Sequence, residues 1–100
     1  MRKSMRKSTK KSIITDNLER CIECGQSPAQ LHHVFAGKNR RNADEDGLII
    51  PLCMIHHLDH RLGIHFDAEL RHKWQRIAQE EYEKAHSRDE FVKRYNRNYR

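Results

Sequence analysis

Two short donor pairs constrain this chain more than any other feature: Cys21-x2-Cys24 and Cys53-x2-His56. Each pair offers two ligand atoms from one tight turn. Together they complete a Cys3His set, the closed tetrahedral arrangement of structural zinc. With 28 residues between Cys24 and Cys53, the intervening chain must fold back on itself before the set can close. Three cysteines cannot all pair with one another, and no apolar segment follows the basic start to suggest a secretory signal. Metal ligation therefore explains the cysteines better than disulfides, and the expected compartment is the cytoplasm.

Composition sets the size of the problem. With 100 residues, 36% hydrophobic and 34% charged, the chain has room for one small domain with tails and none for a large multi-domain enzyme. A structured part of roughly 80 residues falls where a small core often needs a metal as a staple. No run approaches the ~18 consecutive apolar residues of a membrane span, so no membrane association is expected. The net charge of +6 matches the six cations Arg2, Lys3, Arg6, Lys7, Lys10 and Lys11; from Asp16 onward, basic and acidic residues balance. Residues 1–15 read as a disordered basic arm, either a solubilising tail or an electrostatic tether to nucleic acid, and residues 16–100 as the folded domain.

Within that domain, Cys21 and Cys24 close on Gly25 in a knuckle that leads into a strand over 31–35. Residues 36–47 read as a polar loop carrying Lys38, Arg40 and Arg41, then Asp44, Glu45 and Asp46. A second strand spans 48–52, short or at an edge because Pro51 lacks a donor. A helix is expected from Cys53 to about Arg61, with Gly63 as its stop. Asp67 is a candidate N-cap for a long helix whose apolar face is Leu70, Trp74, Ile77, Ala78, Tyr82 and Ala85, about five turns in all. Ser87 and Glu90 match a capping box for a last helix that buries Phe91, Val92 and Tyr95. Trp74, Tyr95 and Tyr99 read as packing residues. The fold class is α+β, a small ββα core with structural zinc and C-terminal helices.

Six of the eight histidines lie between Cys21 and His65, four of them as the adjacent pairs His32-His33 and His56-His57. If His56 faces the zinc, His57 must point elsewhere, back toward the first pair. That gives two zones of donors, one closed and one open. Successive strand residues face opposite sides, so His32 and His33 share a site only where the strand ends or bulges.

The segments CIEC, LHHVF and GLIIPLCMIHH together resemble the HNH endonucleases of the His-Me finger type with a zinc-knuckle extension. GKNR after HHVF, GIHF after LCMIHH, and the ending DEFVKRYNRNY are similar to small phage-encoded proteins related to the RecA-dependent recombination-enhancement nucleases. The resemblance covers residues 21–100 and leaves the basic arm outside. It implies a phage protein acting in a bacterial host, with His33 as the general base that activates water for attack on a phosphodiester. A free imidazole titrates near neutrality, which suits that task. His32, and His57 on the following helix, would hold the catalytic cation, Mg2+ or another divalent ion. The motif's middle Asn usually stands where this chain has Leu48; Asn39, or else Asn42, would take its orienting role. One turn after His57 stands Arg61, which cannot ligate a metal, so His65, or else His60, would be the third ligand.

DNA is the implied partner, gripped at its phosphates by Lys38, Arg40, Arg41 and Arg61 without base readout. The implied activity is a metal-dependent endonuclease or nickase. The alternatives are a zinc-stabilised nucleic-acid-binding module that does not cut, and a nuclease active only on DNA coated by a recombinase filament.

Overall fold

The two apolar runs pair across the polar stretch that separates them. In the computed structural model, which describes residues 11–100, β1 (Gln30–His33) and β2 (Ile49–Leu52) form a two-stranded antiparallel sheet. Its register sets His32 opposite Ile50 and His33 opposite Ile49. Every residue of β2 is buried. Pro51 withholds no ladder bond from β1, because its backbone faces the other way: its carbonyl accepts from the Ile22 N–H at 2.9 Å. The Ser12 hydroxyl donates to the Ile49 carbonyl at 2.7 Å, and the Ile13 N–H donates to that of Gly47 at 2.9 Å. Of the arm expected over residues 1–15, the described part is thus attached from Ser12 onward; residues 1–10 lie outside the described residues.

The stretch between the strands is a helix where a loop is expected. A 3-10 turn at Gly37–Asn39 runs into α1 (Arg40–Asp46), and Gly47 closes it with φ +75°. One apolar residue gives no periodicity to read, yet Ala43 is fully buried and anchors the helix. Its acids are held from outside. Arg94 donates to Asp46 at 2.6 Å and to Glu45 at 2.9 Å, and the Tyr95 hydroxyl donates to Asp46 at 2.6 Å. Asn39 and Asn42 donate to the carbonyls of Tyr95 and Arg94.

After β2, α2 (Met54–Leu58) is shorter than expected, because the Asp59 carboxylate accepts from the N–H groups of Arg61 and Leu62 and turns the chain. The Asp67 side chain caps α3 (Ala68–Tyr82) by accepting from Glu69 and Leu70, as its position predicts. Trp74, Ala78 and Tyr82 are buried on the expected face, but the helix stops at Tyr82 and Ala85 lies exposed beyond it. Both halves of the Ser87–Glu90 capping box open α4 (Arg88–Tyr95). Its Phe91 and Tyr95 pack on Phe35 at ring distances of 5.5 and 4.9 Å. The Trp74 indole N–H donates to Glu23 at 2.6 Å and Lys73 pairs with the same carboxylate, tying α3 to the knuckle. The architecture is α+β. Among the described residues no helix is long and apolar enough to cross a membrane.

Candidate metal centres and the His33 cavity

The two half-sites meet. The turn at 21–25 is closed by the Gly25 N–H donating to the Cys21 carbonyl at 2.8 Å, and it faces the start of α2, where Cys53 is the N-cap residue. Cys24 Sγ lies 3.7 Å from Cys53 Sγ; His56 Nδ1 lies 3.6 Å from Cys21 Sγ and 3.3 Å from Cys53 Sγ. A tetrahedron with Zn–S of about 2.3 Å has S···S edges of about 3.8 Å, so these donors stand close to zinc geometry. Burial pushes the Cys53 thiol up, but hydrogen bonds from His56 and the neighbouring thiols outweigh it and bring Cys53 down to about 6. The Gln26 N–H pulls Cys24 down, yet burial and the other two thiols leave it raised. The thiols compete for negative charge, and a dication among them would let all three ionise together. Cys21, Cys24, Cys53 and His56 are close enough to hold a metal ion and compatible with zinc.

His57 follows His56 on α2, about 100° further round the helix, and so faces a second set. Its imidazole lies 5.2 Å from that of His32 and 4.9 Å from that of His65, with His32 and His65 5.0 Å apart. The ligand atoms of these three histidines lie within 4.8 Å of one another. Burial first, then the neighbouring His57, His65 and His33, holds His32 down at about 3. Burial and His65 likewise lower His57. Both stay uncharged near neutral pH, the form that ligates. His57 Nδ1–H donates to Gln30 Oε1 at 2.8 Å, which leaves the Nε2 lone pair as its ligand atom. Three imidazoles without a carboxylate suit a borderline transition ion; Mg2+ prefers oxygen and finds no support in this set. His65 is in the cluster, whereas His60 packs its ring on Phe66.

His33 is the last residue of β1, where the strand ends, and it takes its own partners. Its Nε2–H donates to Asp44 Oδ1 at 3.0 Å, and its Nδ1 accepts from Arg40 Nε at 3.4 Å. A cavity of about 470 Å3 is lined by His33, Gly37, Lys38, Arg40, Arg41 and Asp44. A second, of about 210 Å3, is lined by His32, His57 and His65 together with His33 and Arg40. Lys38, Arg40 and Arg41 thus gather where phosphate contacts are expected. Arg61 does not join them: it lies in the exposed turn after α2 and lines neither cavity. Asn39 is engaged elsewhere, its amide bound to the Tyr95 carbonyl, and the group against His33 is Asp44. Asp44 belongs to the acidic cluster, and its direction becomes legible only once residues 40–46 are known to be helical. Gln30, the partner of His57, carries no signal in the sequence. No protein-family model, curated protein or solved structure matches this chain.

Proposed function

We propose that the chain is a metal-dependent DNA endonuclease or nickase, stabilised by zinc at Cys21, Cys24, Cys53 and His56. The observation that carries this reading is the shared wall: His33 and Arg40 line both the basic cavity and the three-histidine cavity. A phosphodiester held by Lys38, Arg40 and Arg41 would lie beside an imidazole base on one side and His32, His57 and His65 on the other. An ion bound by those histidines would offset charge developing on the phosphate and the departing 3′ oxygen. His33 accepts the proton of the attacking water, and the products are 5′-phosphate and 3′-hydroxyl ends. The donor set favours Co2+, Ni2+ or Zn2+ over Mg2+ as the activating ion.

The test is cleavage of plasmid and single-stranded DNA by zinc-loaded protein across these ions. The His33→Ala variant should fold, keep its zinc and lose cutting. Wild-type protein that cuts no DNA form with any ion, bare or coated with a recombinase filament, overturns the enzyme reading. The second reading is then a zinc-stabilised nucleic-acid-binding module that does not cut. It draws on the engagement of both His33 nitrogens by Asp44 and Arg40, which a binding module tolerates without penalty. Activity only on coated DNA would instead make a recombinase filament the partner.

A further inference from the structure

We propose that Asp44 and Arg40 bracket His33 as a pair of positioning residues: Asp44 keeps the proton on Nε2, and Arg40 covers Nδ1 until a phosphodiester draws its guanidinium away. The proposal rests on the nuclease reading and assigns roles within its site. A carboxylate 3.0 Å from Nε2 holds that nitrogen as the donor, so the ring's lone pair lies on Nδ1. The same lone pair receives the Arg40 Nε–H. The two contacts thus leave Nδ1 as the basic nitrogen and cover it.

The two contacts differ in strength in the way this device needs. Asp44 sits on α1, which is held by the buried Ala43, by Arg94 on Glu45 and Asp46, and by Asn42 on the Arg94 carbonyl. Its carboxylate is thus offered from a fixed support. Arg40 is exposed, and its bond to His33 spans 3.4 Å, near the limit of a hydrogen bond. Its guanidinium borders both cavities, beside Lys38 and Arg41 in the larger one. A phosphodiester entering there offers two oxygens to the planar fork, a charge-assisted pairing stronger than the long bond it replaces. Water can then approach Nδ1. Its proton passes to Nδ1, its oxygen forms the new bond to phosphorus, the bond to the 3′ oxygen breaks, and the leaving oxygen takes a proton from solvent. Asp44 stabilises the resulting imidazolium through Nε2–H. The imidazolium then returns its proton to solvent.

The experiment uses zinc-loaded full-length protein and two independent readouts. The first is 15N NMR of the His33 ring, which reports which nitrogen carries the proton. Wild-type protein should show the Nε2–H tautomer, Asp44→Ala should lose that preference, and Asp44→Glu should recover it in part. Saturating inorganic phosphate should shift the Nδ1 resonance in wild type and leave it unmoved in Arg40→Ala. The second readout is steady-state cleavage. Asp44→Ala should lower kcat about a hundredfold with little change in KM, and Arg40→Ala should act mainly by raising KM. An unchanged tautomer in folded Asp44→Ala, or a phosphate response identical in Arg40→Ala, overturns the proposal whether or not the protein cuts DNA. Wild-type cleavage that Asp44→Ala leaves untouched overturns the positioning roles while the nuclease reading stands. An inactive wild type with the expected ring spectra sinks the nuclease reading and the catalytic roles built on it, while the bracketing of His33 by Asp44 and Arg40 stands.

Discussion

Gln79 is the residue whose burial most needs explaining. It lies on α3 with no exposed surface, and a polar amide there is unfavourable unless each end is bonded. Its Nε2 donates to Glu83 Oε2 at 2.7 Å and to Asn98 Oδ1 at 2.8 Å, and its Oε1 accepts from the Tyr99 N–H at 2.7 Å. One side chain thus fastens the C-terminal segment to the long helix. Gln79→Ala should cost about 2–3 kcal/mol in urea denaturation, because Tyr99 N–H and Asn98 lose a partner the core cannot replace. A loss below about 0.5 kcal/mol would mean that water substitutes. Glu83 extends the network. Burial raises its carboxyl, but hydrogen bonds from Gln79, Arg88 and Arg100 outweigh that and hold it below its ordinary value of 4.5. A depressed folded-state value means stability that is present above 4.5 and lost as pH falls through the lowered one. Glu83→Gln should therefore melt lower than wild type at pH 7, with the gap closing as the melts are repeated toward pH 3.

The turn at 59–66 decides whether the three-histidine centre exists. The Ile64 N–H donates to the His56 carbonyl at 2.7 Å, folding the turn back on α2 and carrying His65 to His57. Gly63 makes this possible by close approach. A Cβ there would stand 2.6 Å from the Asp59 carbonyl oxygen and 3.0 Å from the His57 carbonyl carbon, both backbone. Gly63→Ala must displace the turn. It should weaken ion binding at the histidine cluster at least tenfold in titration calorimetry while leaving zinc content and the Cys3His centre intact. Equal loss at both centres would show that the turn supports α2 as a whole. The caps were the most legible elements: Asp67, Ser87 and Glu90 act through side-chain oxygens placed on neighbouring N–H groups, a short-range relation that spacing encodes. The donor pairs were legible for the same reason. Helix α1 was not, since one buried Ala43 makes no pattern and its supports, Arg94 and Tyr95, lie some fifty residues away. Asp44 stayed hidden with it.

At the level of the whole molecule, the excess charge and the proposed site are separate in the sequence. The folded part is formally neutral from Asp16 onward, and the excess cations lie in the first eleven residues, ahead of the attachment at Ser12. On the nuclease reading, deleting residues 1–11 should weaken DNA binding and reduce the slope of log affinity against log salt, without abolishing cleavage at low salt. Complete loss of cutting would give the arm a part in the chemistry. Fluorescence anisotropy over a salt series, with cleavage measured in parallel, separates the outcomes. The neighbours His56 and His57 on the five-residue α2 carry a consequence of their own. A helix this short has little freedom to satisfy one donor set while turned away from the other. An ion at either centre would therefore favour the orientation the other needs, and by reciprocity two ions would raise each other's affinity by one common factor. A chain deprived of zinc would then hold an ion at the histidine cluster more weakly by that same factor.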